Sequence, residues 1–162
     1  MRKQIYKAIC ERLTQEIPEV KHLDLWNNNI AVLSGGAVWP RPAVFVEFEA
    51  IEWKQAQNRV RRGDVAIRLH IITDAISYNG NNDERQEEAL SYLDMLDRIN
   101  AAMQGLRGNN FAGFMLTTSA MNHDHAELIE SVERYITSAQ DTSAVRQAVQ
   151  PAVIGNIGIV QG

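Results

Sequence analysis

Two runs between residues 42 and 74 alternate so regularly that they leave little choice of conformation. In RVRRGDVAIRLHIITD, Val65, Ile67, Leu69 and Ile71 alternate with Ala66, Arg68 and His70. A period of two puts one apolar row on one face of a strand and a mixed row on the other. In PAVFVEFEAIEW, Val44, Val46 and Phe48 alternate with Phe45, Glu47 and Glu49, and Ile51 and Trp53 continue the run. The pattern predicts a long β-hairpin. The rest of the chain must either extend its sheet or cover its apolar face.

Cover comes from two helical stretches. Ile5, Ile9, Leu13 and Ile17 recur at steps of four within residues 1–17, the apolar stripe of an amphipathic helix. Pro18 stops it, having no backbone donor and disfavouring helical geometry in the residue before it. Asp83 is placed to cap a second helix, with Gln86 as its capping-box partner. That helix is expected to run to about Gln104, burying Ala89, Leu90, Leu93, Leu96, Ile99 and Met103, with Gly105 and Gly108 at its end. Short strands suit residues 22–26 and 30–33, on either side of an asparagine turn. Residues 111–121 read as a strand. Residues 124–140 fit either type, because Leu128, Val132 and Ile136 at steps of four satisfy both periods. The strand is preferred, since it gives the sheet a final antiparallel member.

This order implies an α+β domain over residues 1–145, an antiparallel sheet built on a central hairpin with both helices on one face. Residues 146–162 form an apolar, glycine-rich arm. At 162 residues the chain is long enough for one sizeable core. Its net charge of −4 argues against general adhesion to nucleic acid or acidic membranes. Cys10 is the single cysteine, which excludes an intramolecular disulfide and points to a reducing compartment. No segment reads as a signal peptide or membrane helix, so a soluble, non-secreted protein is expected.

Catalytic signatures are lacking. His123 and His125, with His70 as a third ligand, are the nearest approach to a metal site, but their spacing matches neither a helical zinc pair nor a cysteine–histidine site. Gly35-Gly36 and Gly105-Leu106-Arg107-Gly108 lack the lysine and hydroxyl residue of a phosphate loop. Neither enzyme activity nor a cofactor is expected. Arg59, Arg61, Arg62 and Arg68 form a basic stretch on the hairpin. It suits phosphate contact with DNA, charge pairing with an acidic neighbour, or plain solvation.

The order of features resembles the tail terminator and tail completion proteins of long-tailed bacteriophages and prophages. The likeness runs over about residues 1–140. It rests on the helix ending in Ile17-Pro18-Glu19-Val20, the proline-led strand from Pro42 to Phe48, and the basic turn. The long strand ending in Thr73-Asp74, the helix with Leu93-Asp94-Met95-Leu96-Asp97-Arg98-Ile99, and His123-Asp124 before the closing strand complete it. The resemblance implies a non-enzymatic subunit of a homo-oligomeric, typically hexameric, ring on the end of the tail tube. Such a ring stops tube polymerisation and joins tail to head. Its partners would be the tail tube protein and head–tail connector proteins, with non-specific DNA contact in the channel and none with membrane. Its setting would be the bacterial host cytoplasm during assembly and then the tail or neck of the virion. The alternatives are a head-completion or connector protein of the neck and a small metal- or DNA-binding domain. Contacts would fall on Arg59, Arg61, Arg62 and Arg68, on the loop with Ser77, Tyr78, Asn79 and Asn82, and on Val153, Ile154, Ile157 and Ile159 of the arm.

Overall fold

Ile5, Ile9 and Leu13 fall on one buried stripe of helix α1 (Arg2–Glu16), and Ile17 is buried just past its end. The computed structural model describes residues 1–27, 29, 39–77, 80–122 and 126–145. After α1 come strands β1 (His22–Leu25), β2 (Ala43–Phe48), β3 (Lys54–Gln55) and β4 (Arg61–Asp74). Helix α2 (Gln86–Met103), β5 (Met115–Asn122) and β6 (Leu128–Asp141) follow. The strands form one sheet in the order β1-β2-β4-β6-β5, with β3 paired to β4 beyond the end of β2. Every pairing is antiparallel except β1 with β2, which is parallel, so the architecture is α+β with a mixed edge.

The alternation predicted for the hairpin sets the two faces. Val44 and Val46 stand in register with Ile71 and Leu69, and Phe48 with Ile67. These residues join α1 and the Met95, Ile99, Ala102 and Met103 stripe of α2 in a single apolar core. Both helices therefore cover one face of the sheet. The segment 128–141 is strand, pairing with β4 along the whole of both. Such a pairing satisfies fourteen residues of backbone at once, which an isolated helix reading of the same periodicity does not weigh.

Three local expectations change. The first arm of the hairpin is not continuous. Phe48 pairs with Ile67 but Lys54 with Arg62, so residues 49–53 face the shorter stretch 63–66. Gly63 accommodates the crossing, since a Cβ there would lie 2.6 Å from the Glu52 carbonyl oxygen. Asp83 does not cap α2 in a capping box; its carboxylate accepts from the Arg85 N–H (2.9 Å), and the helix starts at Gln86. Leu93 is exposed and Leu90 half-buried, while Met95 and Ala102 are buried. A stripe through Ala89, Met95, Ile99, Ala102 and Met103 follows the sheet more closely than one through Leu93. The second short strand expected at 30–33 lies outside the described residues.

Candidate functional site

The basic hairpin divides into two chemically different halves. At its tip, Val60 N–H donates to the Gln57 carbonyl (3.2 Å), with Asn58 and Arg59 at φ 56° and 63°. Two successive left-handed residues give the tight reversal that matches strand twist, and asparagine adopts that geometry readily whereas arginine does not. Arg59 and Arg62 are exposed, and Arg62 stands in register with the exposed Lys54. Like charges directly opposite on paired strands repel. Among the described residues, these three cations have no ion-pair partner.

Arg61 and Arg68 are engaged within the subunit. Arg61 donates to Asp141 Oδ2 (2.5 Å), and its guanidinium lies 5.5 Å from the Trp53 ring centre. Backbone and hydroxyl donors of Ser143, with Arg61, hold the Asp141 carboxyl below the usual carboxylate range. Arg68 reaches Glu49 (2.9 Å) and Glu47 (3.5 Å). Both thereby brace the chain rather than present free charge.

Arg68 belongs to a polar cluster on the sheet face opposite the helices. Arg134 makes a two-pronged contact with Glu49, both bonds at 2.9 Å, and these hydrogen bonds hold the Glu49 carboxyl below its ordinary range. His70, 7% exposed, has Nδ1 at 2.7 Å from Glu130 Oε1 and Nε2 at 3.1 Å from Glu47 Oε2. Trp26 stacks on the same imidazole, with ring centres 3.7 Å apart and planes 3° from parallel. Asn122 donates to the other oxygen of Glu130 (2.9 Å). Nothing in the alternation of β4 pointed to this cluster; its only sequence signal is the recurrence of Glu47, Glu49, Arg68 and His70 on the non-apolar rows. Beside it, a groove of about 770 Å³ is bounded by Glu49, Ala50 and Glu52, by Asn110 and Phe111, and by Ile136.

With both ring nitrogens facing carboxylates, His70 offers no free lone pair to a metal. His123 and His125 lie outside the described residues, among which no group of three or more His, Cys, Asp or Glu is placed to hold an ion. Cys10 is half-buried, and burial pushes its thiol up, away from thiolate chemistry. Ser77 and Asn82 are exposed; Tyr78, Asn79, Val153, Ile154, Ile157 and Ile159 lie outside the described residues. No helix among the described residues is long and apolar enough to cross a membrane. Compared with protein-family models and with curated protein sequences, the chain matches none.

Proposed function

We propose that this chain is a structural virion assembly protein, a ring-forming tail terminator that caps the tail tube and contributes to joining tail and head. The observation that most supports the reading is the unbalanced cationic tip of the hairpin. Lys54, Arg59 and Arg62 share one end of the β3–β4 arm without an acidic partner among the described residues, on a chain with 20 acidic and 16 basic residues. A cationic arm and an otherwise acidic body are complementary between copies. One copy's arm against the next copy's body is a heterologous contact, the kind that closes into a ring. The element order behind the family resemblance agrees with the two-helix, single-sheet fold. In this reading the ring acts by shape alone, offering no site for a further tube subunit. Arg59 and Arg62 are the subunit contacts, or face the DNA channel; Arg61 and Arg68 keep the arm rigid.

Native mass over a range of protein concentrations, with electron microscopy of the same samples, tests the proposal. The expected result is a closed oligomer near six subunits, reduced to monomer in the Arg59→Glu, Arg62→Glu double variant. A chain ending at Gln150 measures what the apolar arm adds. A wild-type chain that stays monomeric throughout and forms no rings overturns the proposal in this form.

A further inference from the structure

We propose that His70 is a protonation-dependent latch holding Trp26, and with it the end of β1, on the sheet face opposite the helices. The starting point is hydrogen-bond stoichiometry. An ionised carboxylate only accepts, and a neutral imidazole has one N–H to give. His70 faces carboxylate oxygens at both nitrogens, Glu130 on one side and Glu47 on the other. Only the imidazolium donates to both. Close by, Arg68 reaches Glu47 and Glu49, and Arg134 pairs with Glu49.

Each element around the ring contributes. Strand β2 supplies Glu47, and Glu49 just past its end acts through Arg68; β6 supplies Glu130 and Arg134; β5 supplies Asn122, which donates to Glu130. From beyond β1 comes Trp26, stacked on the imidazole and touching Phe45 edge-on, with its backbone N–H on the Val46 carbonyl (3.0 Å). His22 of β1 lies farther along the face, against Trp39 and Phe45. A cation stacked on an indole face is favoured by the ring quadrupole. Losing the proton removes that attraction and one charge-assisted hydrogen bond together, and turns a lone pair towards a glutamate. The loss falls at the end of a short parallel strand of four residues, held otherwise by its pairing with β2, by Leu23 against the core and by His22 against Trp39 and Phe45. The latch does not depend on the assembly reading.

The decisive measurement is the imidazole nitrogen spectrum of the ¹⁵N-labelled protein across pH 5–9, with the ring-current shifts of Trp26 followed in the same samples. The latch requires His70 to carry both protons while the stack is intact, and the stack to loosen in the same step as proton loss. A neutral tautomer under an intact stack overturns it. Urea unfolding of Glu47→Gln over the same pH range is the companion test. A glutamine amide can donate to the bare nitrogen, so this variant should lose the alkaline decline of the wild type. That decline is expected to be roughly tenfold in the folding equilibrium, the scale of one hydrogen bond to a charged group. Superimposable wild-type and variant profiles overturn the latch as well. His70→Gln adds a third curve if it folds; the first two measurements decide without it.

Discussion

The two faces of the sheet bury similar strands by opposite means. Under the helices, Val65, Ile67, Leu69 and Ile71 meet α1 and α2 through dispersion and desolvation, which need shape but little orientation. On the opposite face the same strand offers Ala66, Arg68, His70 and Ile72; Ile72 is buried with Ala43, Phe45 and Leu128 in a smaller apolar cluster, while burial of His70 is made tolerable by carboxylates within hydrogen-bond distance. The covered face is sensitive chiefly to volume. The other is sensitive to protonation. Each contains a glutamate that shows the difference. Glu49, on the face opposite the helices, has its carboxyl lowered chiefly by its hydrogen bonds with Arg134. Glu133, on the covered face, is pushed towards its neutral form by burial and by Asp97, with only the Ser119 hydroxyl opposing.

The largest effect should come from the covered face. Leu69→Ala removes a fully buried side chain from the centre of the core and is expected to cost about 2–5 kcal/mol of stability, read by urea unfolding. Arg134→Met breaks the two-pronged pair on a partly exposed surface and should cost about 1 kcal/mol near neutrality. Because the Glu49 carboxyl is depressed in the fold, its contribution is present above the ordinary glutamate value, about 4.3, and disappears as pH falls through the lower folded value. The wild type should therefore lose more stability than Arg134→Met on acidification below that point. Equal acid slopes would show that the pair does not distinguish the faces.

Glu133→Gln should act in the other direction. Its carboxyl is raised, so its contribution is complete below the ordinary glutamate value and is lost as pH rises through the folded value. The variant should be more stable than wild type at neutral pH, by up to about 1 kcal/mol, and the difference should vanish in acid. Thermal unfolding at two pH values is enough to see it. The smallest effect belongs to Arg59→Gly, which places at φ 63° the residue that tolerates it and should gain about 0.5 kcal/mol. The same variant removes a tip cation, so a more stable subunit that assembles less well would separate the arm's folding from its proposed contact.

The part of the molecule already legible in the chain's residue order is the part governed by one period and one face. The stripe of α1 with its stop at Pro18, the apolar row of β4, and the α+β class all follow from solvent choosing between two sides of a regular element. Segment 128–141 was open on periodicity and became strand because β4 offered it a full-length partner. The parallel placement of β1, the interruption over Gly63 and the outward Leu93 were decided by packing between distant segments. The candidate site divides in the same way. The arginines were legible as a charged stretch, but which of them are free was not, because Asp141 and Glu49 reach Arg61 and Arg68 only after the sheet has formed. The His70 cluster is the extreme case: its histidine, two glutamates and tryptophan come from four separate segments, and only strand register brings them within hydrogen-bond and stacking distance.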